Sequence, residues 1–502
     1  MWGRAGEGGR SCGASCVRQP LPPPPTPPHK GEGSRTEQGA GSIPSARQTF
    51  RIQPDGIRHR RSAITNHDAT DGREVAARPV YIVDGSRTPF IRARGRPGPF
   101  TPVDLAVACG RPLLLRQPFK PDAFDQVILG CVSVLADEMN PARIAALRLG
   151  MGDAMPAFTV QINCGSGMQS IDTAYQYIRE GHSDLILAGG AEALSQSPLL
   201  FRKSAVDWYA RLAGARDIWS RLVAFAGFRP SFLKPVIGLE RGLTDPVVEL
   251  NMGQTAEILA HLFHISRHQA DEYAAESQWR LARAQREKWF DGELEPAFTR
   301  NGAVYDHDDG VRPDTTVESL AKLKPAFERP WGKVTAGNSS QITDGASWVI
   351  LASEKAVKEH GLTPRAVIVD SQWSALDPSI MGLGPVLCAT AILRRHGLAL
   401  GDVGLWELNE AFAAQVLACL AAWEDETFCR GALGLDGAAG RIEREKLNVD
   451  GGAIGLGHPV GASGNRIVLH LVNAMRRLGV KQGIATECIG GGQGGAMLIE
   501  TV

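Results

Sequence analysis

The chain has 502 residues, 43% hydrophobic and 22% charged, an ordinary globular composition long enough for about two to four domains. Its 54 basic and 54 acidic side chains cancel, so no global basic field exists to hold DNA or RNA. Gly, Ser or charge breaks every apolar run before the roughly 18 residues that a spanning helix needs. The nine cysteines are too few for a disulfide scaffold and lack paired metal-ligand spacing, which reads as reduced thiols in a cytosol-like compartment.

Residues 1–77 hold nine prolines, including Pro22 to Pro25, and almost no periodic apolar pattern, so a disordered extension rich in Pro, Gly and Arg is expected. This segment has 11 basic and 7 acidic residues, leaving 43 and 47 for residues 78–502. An Arg-rich leader suits an organelle-targeting peptide. The polyproline run and the acids Glu7, Glu32 and Glu37 oppose the amphipathic helix such a peptide requires. The expectation is therefore a cytoplasmic protein, with the mitochondrial matrix as the alternative if residues 1–77 are a transit peptide.

Folded sequence begins at Arg78, where Pro-Val-Tyr-Ile-Val-Asp reads as a first strand closed by Gly85. Further β-branched runs at Val127–Val132, Phe158–Ile162 and Asp184–Leu187 alternate with helical stretches, the pattern of α/β layers. A second set follows. Strand-like Ala366–Val369, Val403–Leu408 and Gly483–Glu487 alternate with helical Gly384–His396, Phe412–Trp423 and Ala462–Leu478. This predicts two α/β halves, residues 78–196 with 331–353 and residues 354–502, separated by an inserted loop domain over 197–330. Within the insert one strong helix is expected from Met252 to about Phe290, with Ser266 opening a further turn. His261, His264 and His268 fall on its solvated face without a matching acid or Cys cluster for metal. The stretch Ser204–Ile237 interleaves Trp208, Tyr209, Trp219, Phe225, Phe228 and Phe232 with Arg211, Arg216, Arg221, Arg229 and Lys234. It fits either a surface-seeking amphipathic helix in peripheral contact with a membrane or a lid packed on its own domain.

The chemistry-bearing residues sit in glycine-rich turns. Phe158-Thr-Val-Gln-Ile-Asn-Cys164-Gly-Ser-Gly-Met runs from a strand into a helix with apolar residues at 168, 171, 175 and 178. That places Cys164 at a helix N-terminus, where unpaired N–H groups and the macrodipole favour thiolate. His458 lies in Asp450-Gly-Gly-Ala-Ile-Gly-Leu-Gly-His-Pro-Val-Gly-Ala-Ser-Gly, a loop fit to thread close to a ligand and to supply a base. Cys488 enters the turn Ile-Gly-Gly-Gly-Gln-Gly-Gly, either as an acid or base beside backbone oxyanion donors or as a small buried residue in a hairpin. Asn409-Glu410-Ala-Phe412 closes an apolar strand. Its amide and carboxylate suit a bound water, the orientation of His458, or a helix N-cap.

Taken together, Asn-Cys164-Gly-Ser-Gly-Met, Gly189-Gly-Ala-Glu192, Thr335-Ala-Gly-Asn-Ser-Ser340, Asn409-Glu-Ala-Phe412, Gly457-His-Pro-Val-Gly-Ala-Ser-Gly464 and Cys488-Ile-Gly-Gly-Gly492 resemble, in fixed order over Arg78 to Val502, the thiolase family of acetyl-CoA acetyltransferases and 3-ketoacyl-CoA thiolases. The resemblance implies two similar layered α/β halves, each with a mixed five-stranded sheet, plus an inserted loop domain. It implies Cys164 as acyl-accepting nucleophile, His458 as its base and Cys488 as the acid or base at the departing carbanion. It also implies one oxyanion hole from Asn409 (through a water) and His458, and another from the N–H groups of Cys164 and Gly490. Ser340 matches a residue that contacts CoA, with Gln341 where many relatives have Gly, and Phe412 matches the acyl pocket. CoA would be a co-substrate, with no permanently bound cofactor and no metal.

The implied activity is CoA-dependent cleavage of 3-ketoacyl-CoA, or the reverse condensation, in fatty-acid β-oxidation. The implied assembly is a homodimer or homotetramer, with a multienzyme β-oxidation partner suggested by the long insert. The rivals are a short-chain acetyl-CoA acetyltransferase, a ketoacyl synthase and a catalytically silent lipid-binding or assembly subunit.

Overall fold

The computed structural model describes residues 78–502. The expected disordered extension over 1–77 lies outside them. One ten-stranded mixed sheet organises the chain, in the spatial order Leu405–Leu408, Gln482–Ile489, Gln493–Thr501, Ala366–Ala375, Val80–Arg87, Thr343–Ser353, Leu185–Ala193, Gln126–Gly130, Ala157–Val160, with the short strand Ile91–Arg92 added on Thr343–Ser353. Val80–Arg87 and Ala366–Ala375 meet antiparallel at its middle, through Tyr81↔Val367 and Ile82↔Ala366. About this seam the two halves repeat one order of elements: strand, helix, strand, helix, helix before a strand, and a final antiparallel strand. The edge of the second half ends not in a full strand but in an isolated parallel bridge, Trp406↔Leu447.

Helices cover the sheet on both faces, which explains the unbroken apolar runs. Pro102–Leu115 and Pro141–Arg148 share one core with the outer face of the first half. Gly384–His396 and Ala413–Glu424 do the same for the second. Ser166–Arg179 and Val460–Leu478 share a third core with strands of both halves. The Val460–Leu478 helix is buried nearly all round, and its enclosed polar side chains Asn465, Arg466 and His470 are met by Ser347, Glu407 and Glu293. Its Ile467, Val468, Leu469, Leu471 and Val472 are at most 1% exposed. At about 2 kcal/mol per buried aliphatic side chain, they contribute on the order of 10 kcal/mol as an upper bound.

The strand Thr343–Ser353 is buried along its whole length, although Asp344, Gly345 and Ser347 hide it in the sequence. Asp344 is tied down by the N–H and Oγ of Ser195, and Ser347 donates to Asn465 Oδ1 at 2.7 Å. The expected single helix from Met252 to Phe290 is two helices, Met252–Leu262 and Arg267–Arg286. His264 breaks them with a φ of 55°, and Ser266 caps the second in a reciprocal box with Gln269. His261, His264 and His268 are exposed, as expected. Residues 201–235 leave the body through a two-stranded neck, Leu199↔Ile237 and Leu200↔Val236.

Candidate active site

The two central helices bring Cys164 and His458 to one junction. Each stands two positions before a helix, Ser166–Arg179 for Cys164 and Val460–Leu478 for His458. The helix starts interlock through glycine. A Cβ on Gly167 would lie 2.7 Å from the backbone N of Asn465, and one on Gly464 would lie 2.6 Å from the backbone N of Met168 and 2.2 Å from Glu487 Oε1. No other residue type permits this approach. The glycines after Cys164 and His458 therefore serve packing between the helices as well as access for a ligand.

Asn163 sets the angle of the Cys164 turn. Its φ of 46° is left-handed, a conformation Asn tolerates better than most residues, and its Nδ2 donates to the Gly490 carbonyl at 2.7 Å. That bond joins the Cys164 turn to the tip of the hairpin formed by Gln482–Ile489 and Gln493–Thr501. The backbone N–H groups of Gly490 and of Cys164 itself both favour the anionic form of the half-buried Cys164 sulfur. Burial nevertheless outweighs them and pushes the thiol up to about 12. The helix N-terminus does not produce a resting thiolate, contrary to what sequence position alone predicts.

His458 is also neutral at rest, because burial, reinforced by the Arg466 charge, holds it down to about 4. Its Nδ1 lies 2.6 Å from Ser463 Oγ, which in turn lies 3.2 Å from the Pro459 carbonyl. Ser463 has one proton. Donating it to Pro459 leaves Oγ to accept from Nδ1–H, so this network assigns the lone pair to Nε2. Nε2 is buried without a partner.

Gln341 fixes the same loop from the other side. Its carbonyl accepts the His458 N–H at 3.0 Å, and its Nε2 donates to the carbonyls of Gly310 and Gly455 at 2.9 and 3.1 Å. Where the family resemblance leads one to expect glycine, this chain has a clamp.

Asn409 follows the strand Leu405–Leu408 and is held beside the hairpin strand by its N–H to Thr486 O at 2.9 Å. It is not a helix N-cap, since the next helix begins at Ala413 with Phe412 as its cap. Both polar atoms of its buried side chain lack a protein partner, a donor and an acceptor free for a water or a substrate oxygen. Glu410 does not orient His458. It accepts from Tyr273 Oη, Ser277 Oγ, Asn448 Nδ2 and the Ile454 N–H, at 2.9, 2.7, 3.1 and 3.2 Å, and so anchors the loop leading to His458.

Cys488 is 1% exposed and shares an apolar cluster with Met381, Ala411, Phe412 and Val334. It is both a buried hairpin residue and a neighbour of Cys164: burial holds the Cys488 thiol well above its ordinary range, and the nearby Cys164 sulfur adds to the rise. Phe412 meets Phe327 edge-on at 6.2 Å. Half-buried Ser340 bonds through its N–H to Ala411 O at 3.0 Å, which places it against the Asn409–Phe412 loop. The junction thus gathers Cys164, His458, Asn409, Cys488, Gly490, Ser340 and Phe412 onto loops tied to one another. Sequence reasoning missed Ser463 and Asn163, and it marked Gln341 only as a departure from the family's glycine. Only Ser463 had a local signal, lying in the first turn after His458.

Comparison with known proteins agrees with this arrangement. Residues 80–355 match the model of the thiolase N-terminal domain and residues 362–501 that of the thiolase C-terminal domain. The chain is 41% identical over 427 residues to the mitochondrial 3-ketoacyl-CoA thiolase of Bos taurus, covering 84% of this chain and 98% of that one. The crystal structure of human mitochondrial 3-ketoacyl-CoA thiolase in complex with CoA superposes with a TM-score of 0.72 at 38% identity, covering 85% of this chain and 98% of that chain. The Bacillus anthracis acetyl-CoA acetyltransferase superposes with a TM-score of 0.73 at 36% identity, over 85% and 99%. Matched in both domains and along nearly the full length of these relatives, the chain belongs to the thiolase family.

Proposed function

We propose that this thiolase cleaves 3-ketoacyl-CoA with free CoA into acetyl-CoA and a shortened acyl-CoA, the degradative step of fatty-acid β-oxidation, and that the same site runs the condensation in reverse. The carrying observation is the convergence of a Cys164 thiol under two N–H groups with a neutral His458 whose Nε2 is free.

In this reading, His458 Nε2 takes the Cys164 proton as sulfur bonds to the 3-keto carbon. The bond between C2 and C3 then breaks, its electron pair moving into an acetyl-CoA enolate. The Cys488 S–H protonates that carbanion and becomes the thiolate. Next, the CoA thiol gives its proton to Cys488 and attacks the acyl-enzyme, and departing Cys164 recovers its proton from His458. The first pair of oxyanion donors is His458 with an Asn409-held water, and the second is the N–H groups of Cys164 and Gly490. Ser340 contacts the CoA moiety and Phe412 lines the acyl pocket. Two neutral partners suit this order, because the nucleophile is generated only as the carbonyl carbon arrives.

The same proposal divides the chain into a first half (78–196 and 331–353), an inserted loop domain (197–330) and a second half (354–502). It includes a homodimer or homotetramer, and a multienzyme β-oxidation partner. It also includes cytoplasmic residence, with the mitochondrial matrix as the alternative favoured by the name of the Bos taurus relative. The similarity to an acetyl-CoA acetyltransferase keeps a short-chain enzyme as the second reading.

The test is thiolysis of acetoacetyl-CoA and 3-ketohexadecanoyl-CoA, reading acetyl-CoA release beside a Cys164→Ala variant. Release from the long substrate, lowered by about 10³-fold or more in the variant, is the expected result. Release from acetoacetyl-CoA alone moves the protein to the short-chain class. No Cys164-dependent release from either defeats the proposal.

A further inference from the structure

Half of the large apolar side chains that stand exposed among the described residues, 13 of 26, fall between Leu199 and Ile237. Seven of them sit on two short helices, Lys203–Gly214 and Ile218–Ala226, carried beyond the two-stranded neck, and the other six lie on the neck strands and the segments that join these elements. The excursion has a small core of its own, Ala205, Trp208 and Phe232 with Leu212. Trp208 closes it by donating to the Ala224 carbonyl at 2.7 Å and meeting Phe228 edge-on at 5.3 Å. That core holds the hairpin together but leaves the second helix uncovered. No residue of Ile218–Ala226 is buried, and Ile218, Trp219, Val223 and Phe225 are 69, 74, 73 and 66% exposed. An apolar helix whose outer face is left in water is not a stable end state for a surface.

The charges around these side chains say what covers them. Arg202, Lys203, Arg211, Arg216, Arg221, Arg229 and Lys234 are all exposed, against only Asp207 and Asp217 in the same span. Asp207 is paired with Lys203, and Asp217 caps the second helix. The local excess is therefore five positive charges on a chain whose total is zero. Long cationic side chains flanking an unsatisfied aromatic and aliphatic surface match the boundary of an anionic bilayer, where rings enter the acyl region and guanidinium groups stay with the phosphates. A nucleic acid would meet the charge and leave the apolar face in water. Twelve- and nine-residue helices, about 18 and 14 Å long, are too short to cross a core of about 30 Å, so they would lie in its surface plane.

We propose that the helical hairpin between Leu199 and Ile237 docks this protein peripherally on anionic phospholipid membranes. The docking is independent of the catalytic reading, since none of these residues is placed in the reaction.

The test is flotation of the full chain with phosphatidylcholine vesicles, with and without phosphatidylglycerol, for wild type and for the triple variant Trp219→Glu, Val223→Glu, Phe225→Glu. Circular dichroism and urea unfolding check that these surface changes leave the fold intact. Wild type should float with the anionic vesicles, about tenfold less with neutral ones or in high salt, and the variant should lose about tenfold on anionic vesicles. Failure of wild type to float, equal flotation on neutral vesicles, or equal flotation of the variant overturns the proposal. So does sedimentation showing, without vesicles, a wild-type assembly that the triple variant dissolves, because the face would then belong to a second copy of the chain.

Discussion

The junction of Cys164 with His458 and the helical hairpin between Leu199 and Ile237 are opposite uses of the same secondary structure. At the junction, the starts of two helices press together at glycine, and hydrogen bonds of Ser463, Gln341 and Asn163 fix the turns around His458 and Cys164. In the hairpin, a core of only three buried side chains, Ala205, Trp208 and Phe232, holds the segment together, and the remaining apolar surface turns outward. The first is over-determined, so small changes should propagate to the chemistry. The second is under-determined from within, so changes on its outer face should leave the fold alone and act only through whatever it touches.

The sharpest break of this contrast is Gly464→Ala. The added methyl has backbone on one side and a buried carboxylate on the other, so about 3 kcal/mol or more of stability should be lost in urea unfolding. An effect below about 1 kcal/mol would show that the junction relaxes more freely than its geometry indicates.

Next in size is the pH dependence of Cys164 alkylation. Deprotonation creates the charge that burial disfavours, so raising the thiol to about 12 keeps it protonated through neutrality. The iodoacetamide rate should rise about tenfold per pH unit, roughly 100-fold from pH 7 to pH 9. A plateau near pH 7 would mean that the helix N-terminus wins after all.

A smaller effect is expected for Gln341→Ala. Losing the amide that holds the carbonyls of residues 310 and 455 should lower kcat about tenfold with little change in KM. An unchanged kcat would remove Gln341 from the positioning of His458. Smallest is Val223→Ala on the hairpin, where unfolding should move by less than about 0.5 kcal/mol. A larger loss would show that this side chain already packs against something within the chain.

Legibility in the sequence followed how local each constraint is. The turn and helix carrying Cys164 could be read from Gly165, Gly167 and the apolar spacing behind them, because both signals lie within 20 residues. The strand Thr343–Ser353 could not, since its polar residues are satisfied by Ser195 and Asn465, far away in sequence. The break at His264 was hidden because a single left-handed residue interrupts an otherwise continuous helical pattern. Gln341 was visible only as a departure from a family pattern. Its meaning depends on three loops that meet nowhere but in the folded chain.

The sequence by itself determined the layered α/β class, the reactive residue types and their glycine-rich turns, and the segment whose aromatic and basic composition sets it apart. All of these are properties of spacing and composition along one stretch of chain. Tertiary structure decided the protonation states of Cys164 and His458, the partner of each loop and which apolar residues stay in water. Those depend on burial and on contacts between elements distant in sequence, and burial at the junction reverses the charge state that the helix N-terminus alone would favour.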